Sequence, residues 1–250
     1  MKTTAALLLG LLFVAANAAQ AKPDGETALE TGQGPVTLYP IKHASFVLEW
    51  NGQSIYVDPT GGPEAYAGLE TADVILLTHS HGDHLDRDTL AGLDTRSTIV
   101  VMPQSVADEI GEEYGQTQSV MANGETVHTD AGLGIHAMPM YNLPQGPESR
   151  HPKGWGNGYV LTLGDKRAYI SGDTEGIDEM RALENIDVAF VCMNLPYTMG
   201  VEQAADAVAD FEPAVVYPYH YRGQDTEKFR GLLAAENVAT EVRLRDWYAE

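Results

Sequence analysis

The chain has 250 residues, a size that accommodates one sizeable α/β domain and leaves room for little more. Acidic residues outnumber basic ones 36 to 15, and the formal net charge of -21 repels nucleic-acid phosphates, which argues against a nuclease and against any nucleic-acid partner. The single cysteine, Cys192, excludes an intrachain disulfide, and its place in the apolar run 188–193 marks it as a small buried side chain.

At the start of the chain Lys2 precedes an apolar run over 5–16, followed by Ala16-Asn17-Ala18 and Ala19-Gln20-Ala21. This is the layout of a cleaved secretory signal peptide over 1–21, and it predicts a periplasmic or secreted product. The run is shorter than the roughly 20 apolar residues of a membrane-crossing helix, and no later segment approaches that length, so no integral membrane association is expected. Residues 22–35 are polar and rich in glycine and acids. They predict a flexible lead-in, with a single domain over 36–250.

Short strands are expected at 36–39, 45–49 and 54–57, with Asn51-Gly52 supplying the positive-φ turn of a hairpin. The continuous apolar run 74–77 predicts a strand covered on both faces, and further strands are expected at 98–102, 159–163, 168–171, 188–193 and 214–217. Between them Ala204, Ala205, Val208 and Phe211 share one helical face, and Pro213 stops that helix. A last helix takes Asp225 as its N-cap and Phe229, Leu232 and Leu233 as its apolar stripe, and 238–244 then alternates as a strand. Hairpins followed by strand–helix alternation predict an α/β domain with helices outside its sheets.

The segment Leu76-Leu77-Thr78-His79-Ser80-His81-Gly82-Asp83-His84 places three imidazoles and a carboxylate within six residues, immediately after a buried strand. In extended chain His79 and His81 point to the same side and can reach one ion. The turn at Gly82 then swings Asp83 and His84 toward a neighbouring position. Imidazole suits zinc, iron and other late first-row metals, and a hard carboxylate lets a second ion share the site. The plainer alternative, a surface loop that happens to be rich in histidine, sits poorly with three of the chain's eight histidines at one strand end.

This segment resembles the metallo-β-lactamase superfamily, whose H-x-H-x-D-H signature it matches without a substitution. Tyr169-Ile170-Ser171-Gly172-Asp173-Thr174 is similar to the family's strand ending in Gly-Asp-Thr, and Tyr217-Pro218-Tyr219-His220 to its late strand-end histidine. The stretches 41–45 and 57–59 look like the branch of ascorbate-6-phosphate lactonase and N-acyl-phosphatidylethanolamine phospholipase D relatives. The resemblance implies a four-layer αββα sandwich of the metallo-β-lactamase type. It also implies two divalent metal ions, zinc first, with manganese or iron as alternatives. The implied ligands are His79, His81, Asp83, His84, His151, Asp173 and His220, with Asp173 bridging and Asp83 doubling as the catalytic group that orients or accepts a proton.

One position departs from the pattern. Asn142 stands where the family has a histidine, and either His151 reaches back to the first metal or Asn142 or water fills the place. His151 is preferred, because a catalytic zinc usually keeps three protein ligands and an amide is a poor one. His43 and Asp58 sit at strand ends near the site, as support for a ligand or as plain structural partners. His128 is expected in a solvated turn and His136 at an ordinary sheet position, while Tyr197 and Tyr219 either line the pocket or pack elsewhere. The expected activity is hydrolysis of an ester-type bond, a lactone or a phosphodiester, in a small molecule. An inactive metal-binding member of the fold and a β-lactamase are the alternatives.

Overall fold

The computed structural model describes residues 22–146 and 148–249, so the expected signal peptide over 1–21 lies outside the described residues. Period-two alternation organises the rest. In the first sheet Phe46, Leu48, Ile55, Val57, Val74, Leu76 and Val101 face one hydrophobic core, while their neighbours Val47, Tyr56, Ile75, Leu77, Val100 and Met102 face another. A strand that buries both faces reads as a continuous apolar run, as in 74–77.

Two seven-stranded sheets result, each with its strands in chain order. The first holds β1 (Glu26–Thr31), β2 (Gly34–Lys42), β3 (Ser45–Trp50), β4 (Gln53–Val57), β5 (Val74–Leu76), β6 (Ile99–Met102) and β7 (Thr117–Val120). The second holds β8 (Thr126–His128), β9 (Gly134–Met140), β10 (Gly156–Leu163), β11 (Lys166–Ile170), β12 (Val188–Cys192), β13 (Val215–Tyr219) and β14 (Glu241–Val242). Each sheet begins antiparallel and turns parallel, from β4 onward in the first and from β11 onward in the second. Their inner faces meet where the rings of Phe46 and Phe190 stack at 4.4 Å.

The outer faces take the helices. Leu90 of α1 (Arg87–Gly92) and Val106 and Ile110 of α2 (Gln104–Ile110) cover the first sheet. On the second, the ring of Tyr169 meets that of Phe211 at 6.0 Å, at the end of α4 (Val201–Phe211). Pro213 lies two residues beyond this helix, whose C-cap Glu212 takes a left-handed φ of 40°. The short α3 (Asp178–Arg181) and α5 (Thr226–Ala235) flank it, and Asp225 caps α5 by accepting from the Lys228 N–H, as expected. The expected αββα sandwich is the fold observed. Among the described residues no helix is long and apolar enough to cross a membrane.

Two expectations need correction. The lead-in is not loose: residues 26–31 form β1, antiparallel to β2, with Ala28 buried. Of its acidic residues Glu30 is exposed on an edge strand, where charge guards against stray pairing, and Glu26 is taken up by Arg245, so composition masked the strand. At the other end only Glu241–Val242 of 238–244 pairs with β13. Beyond it Arg243 donates to the Thr27 and Ala28 carbonyls and Arg245 pairs with Glu26, so this segment clasps β1.

Candidate metal centre

The parallel strands of both sheets end at one edge, and the loops after them carry the chemistry. His79, His81, Asp83 and His84 follow β5, Asp58 follows β4, Asp173 follows β11 and His220 follows β13. His43 sits in the turn into β3, and His151 precedes β10. The sheets are stitched together here: the Asn157 N–H donates to the Thr78 carbonyl at 2.8 Å and the Tyr159 hydroxyl to the Leu77 carbonyl at 2.7 Å. Gly172 takes a φ of 59°, and a Cβ there would lie 2.8 Å from Met140 Sδ, so only glycine lets the strand turn Asp173 into the site.

Asp173 divides the site in two. Its Oδ2 lies 3.4 Å from His151 Nε2 and 4.0 Å from His79 Nε2. Its Oδ1 lies 3.2 Å from His84 Nε2 and 3.5 Å from His220 Nε2. On the Oδ2 side His81 Nδ1 is 3.1 Å from His79 Nε2 and 3.2 Å from His151 Nε2. On the Oδ1 side Asp83 Oδ2 is 3.6 Å from His220 Nε2 and 3.1 Å from His43 Nε2. His79, His81 and His151 form a set that could hold a metal ion, as do His43, Asp83 and His220, and His79, His84 and Asp173.

The imidazoles are aimed by partners at their backs. Thr78 Oγ1 donates to Asp58 Oδ2 at 2.7 Å and is left to accept from His79 Nδ1 at 3.0 Å, which frees His79 Nε2. Asp58 Oδ2 also takes His84 Nδ1 at 2.7 Å, the carboxylate–histidine pairing that turns His84 Nε2 inward. Asn142 resolves into a related role. Its Oδ1 accepts the His151 backbone N–H at 2.8 Å and faces His151 Nδ1 at 3.1 Å, so Asn142 stands behind His151 with its amide turned from the site.

Backbone at positive φ gathers at this site. Of the eight non-glycine residues at positive φ among the described residues, four are His43, Asp58, His220 and Arg222. Three of the others are asparagines, which tolerate that region as aspartate and histidine do, so Arg222 is the costly instance at the site.

The residues fit divalent cations. Among the buried side-chain atoms without a hydrogen-bond partner are His84 Nε2, Asp173 Oδ1 and both ring nitrogens of His220. Three of these four converge on one point, and buried polar atoms are rarely left unpaired without a reason. Burial pushes the His151 imidazole down to about 4 and holds His79 well below its usual range, which leaves both neutral, the form that donates to a cation. Burial works against the charged forms of His84 and Asp173. Even so, Asp173 and Asp58 hold His84 well above its usual range, while His220 and His84 hold Asp173 well below its own. The carboxylates thus call for positive charge at His84 Nε2, where a proton or a cation can supply it.

The other expectations sort cleanly. Tyr197 lines a cavity of about 100 Å³ beside His81, Asp83 and Asp173, whereas Tyr219 is fully buried in the core against Trp247. His128 is exposed on β8 and not in a turn, and His136 on β9 lies 2.8 Å from Thr126 Oγ1. Burial pushes the Cys192 thiol up to about 12, which makes it inert. Tyr248, whose hydroxyl lies 2.8 Å from His43 Nδ1, carries no local sequence signal, being 205 residues away.

Residues 37–220 match the family model described as a beta-lactamase superfamily domain. A UPF0173 metal-dependent hydrolase of Pyrococcus horikoshii is 33% identical over 208 residues, covering 77% of this chain and 90% of that protein. A protein of Parabacteroides distasonis assigned as a metal-dependent hydrolase has a crystal structure that superposes with a TM-score of 0.80 at 36% identity, over 90% of this chain and 99% of that one. A metallo hydrolase of Ignicoccus hospitalis shares the fold, with a TM-score of 0.71 at 24% identity over 86% and 96% of the two chains. The chain therefore belongs to the beta-lactamase superfamily, as a metal-dependent hydrolase.

Proposed function

We propose that the protein hydrolyses an ester-type bond, in a lactone or a phosphodiester, with two divalent ions, zinc first, held on either side of Asp173. The observation that carries this reading is the division of Asp173, whose two oxygens face two separate sets of ligands. His79, His81 and His151 would hold one ion, and Asp83, His84 and His220 the other. Bound ions of this kind acidify a water and polarise the group under attack. Asp83 accepts or orients the proton at its carboxylate, fixed on one side by His43 and lining the cavity on the other. The neighbouring imidazoles of His220 and His43 outweigh burial and hold the Asp83 carboxyl far below its usual range, so it stays ionised.

The stretches 41–45 and 57–59 support a place beside the lactonase and phospholipase branch. The alternative of an inactive metal-binding member rests on Asn142 as a lost ligand, and His151 Nε2, 3.2 Å from His81 Nδ1, supports the active reading instead. Turnover of bis(p-nitrophenyl) phosphate and of a lactone panel, measured with metal content, tests the reading. Wild type should bind two ions and turn over at least one class, and Asp173→Ala should lose more than about 100-fold, beyond what removal of a supporting partner costs. Two bound ions with no turnover of either class would sink it. We also propose export with cleavage of residues 1–21, supported by the charged-then-apolar start of the chain; a protein retained in the cytoplasm with residues 1–21 still present by mass would refute this.

A further inference from the structure

The distribution of positive charge is uneven in a way that bears on the substrate. Of the chain's 15 lysines and arginines, all but Lys2 lie within the described residues. Ten of these pair with a carboxylate: Lys22, Arg87, Arg96, Lys153, Lys166, Arg181, Lys228, Arg230, Arg243 and Arg245. Arg167 donates to the Glu184 carbonyl. The remaining three, Lys42, Arg150 and Arg222, have no carboxylate partner among the described residues, and all three line the two cavities that flank Asp83. Arg150 and Arg222 border the one that holds Asp173, and Lys42 and Arg222 its neighbour of about 390 Å³.

In a chain of net charge -21, cations left to themselves on the surface have abundant acids to pair with, so three unpaired at one cleft are an arrangement with a use. Two of them are held in place. The Arg150 guanidinium lies over the Tyr197 ring, 4.7 Å from its centre. Arg222 takes a strained φ of 23°, and its N–H donates to the Tyr248 hydroxyl at 2.7 Å. Apolar surface gathers nearby: Leu143, Leu195 and Tyr197 are three of the four large hydrophobics exposed among the described residues. The two loops that carry them are tied by Asn142 Nδ2 donating to the Tyr197 carbonyl at 2.8 Å. Of the acids in the same cavities, Asp83 and Asp173 are the ones whose charge the metal ions would take up, and Asp86 is engaged by the Thr89 hydroxyl and the N–H groups of Gly61, Asp88 and Thr89.

From this we infer that the substrate is a small organic anion. Arg150 and Arg222, with Lys42 on the outer wall, grip an oxyanion group separate from the bond that is cut, and the apolar part lies along Tyr197. This rests on the hydrolytic reading above and adds the class of molecule to it. Guanidinium suits the role because its planar fork bonds carboxylate or phosphate oxygens in pairs.

Calorimetric titration of the metal-loaded protein tests it without needing turnover. Phenylphosphonate and 3-phenylpropionate serve as phosphate-like and carboxylate-like probes, and benzyl alcohol as a neutral control. Arg150→Gln and Arg222→Gln should each weaken the better anionic probe about tenfold, with Arg150→Lys and Arg222→Lys recovering part of the loss. The benzyl alcohol signal, the metal content and the melting temperature report whether the site itself has changed. A loss below about threefold in both Gln variants, or an equal loss for the neutral control, overturns the inference. For a turned-over substrate, the preference for an anionic aryl ester over its neutral counterpart should fall about tenfold in each Gln variant. If wild type hydrolyses no ester at all, the hydrolytic reading fails on its own, and the titrations still decide whether the cleft binds anions.

Discussion

The two halves of the metal centre, on either side of Asp173, are built in different ways. The half formed by His79, His81 and His151 consists of neutral imidazoles. Two of them are fully buried, and they are backed by the uncharged groups of Thr78 and Asn142. The half formed by Asp83, His84 and His220 carries the charge. Asp58 backs His84, Asp83 supplies a carboxylate whose side chain is 41% exposed, and the backbone at His43, Asp58 and His220 takes positive φ. The contrast separates two tasks. On the proposed two-ion reading, a dry set of neutral donors would grip an ion and change little, whereas a charged, half-open set would meet water and substrate.

Metal removal should expose the contrast most strongly. An ion held at 1,000 times its dissociation constant contributes about 4 kcal/mol to folding, or about 8–16 °C in melting temperature for a domain of this size. A graded chelator series followed by calorimetry should lower the melting temperature in two steps, the Asp83 half emptying first. An unshifted transition would remove the metals from the account. Asp58→Asn comes next, lowering affinity by about 10- to 100-fold in the Asp83 half, where it holds His84 directly, and less in the other half, which it reaches only through Thr78, read from metal titrations of the variant. Asn142→Ala should act on the other half and sit near the lower end, about tenfold, because a neutral amide orients His151 less firmly than a carboxylate orients His84. If either substitution weakened both halves equally, the division at Asp173 would not be a functional one.

Much of this could be read from the chain itself, for identifiable reasons. The cluster of His79, His81, Asp83 and His84 was legible because its spacing is local, and β5 was legible because a strand covered on both faces leaves an unbroken apolar run. The edge strand β1 was not, since half of it faces water and its pairing partner gives it order. Asn142 was ambiguous because an amide beside a metal can donate to it or stand behind a ligand, and only the turn that brings His151 back decides which. The three cations at the cleft could not be singled out at all. Their distinction is the lack of a partner, which requires knowing where every carboxylate lies.

The clasp between the two ends of the described chain has a consequence for how the molecule is made. His43 is pinned through its N–H to the Trp247 carbonyl at 2.8 Å, and its own carbonyl receives the His220 N–H at 3.1 Å. Arg243 and Arg245 hold β1 from more than 200 positions away in sequence. Contacts of such long range are the slowest to form, because the entropy of closing the loop is lost before any contact repays it. The Asp83 half therefore lacks the bond that pins His43 until Trp247 has been made. A nascent chain can complete its first sheet well before the support behind Asp83 is in place.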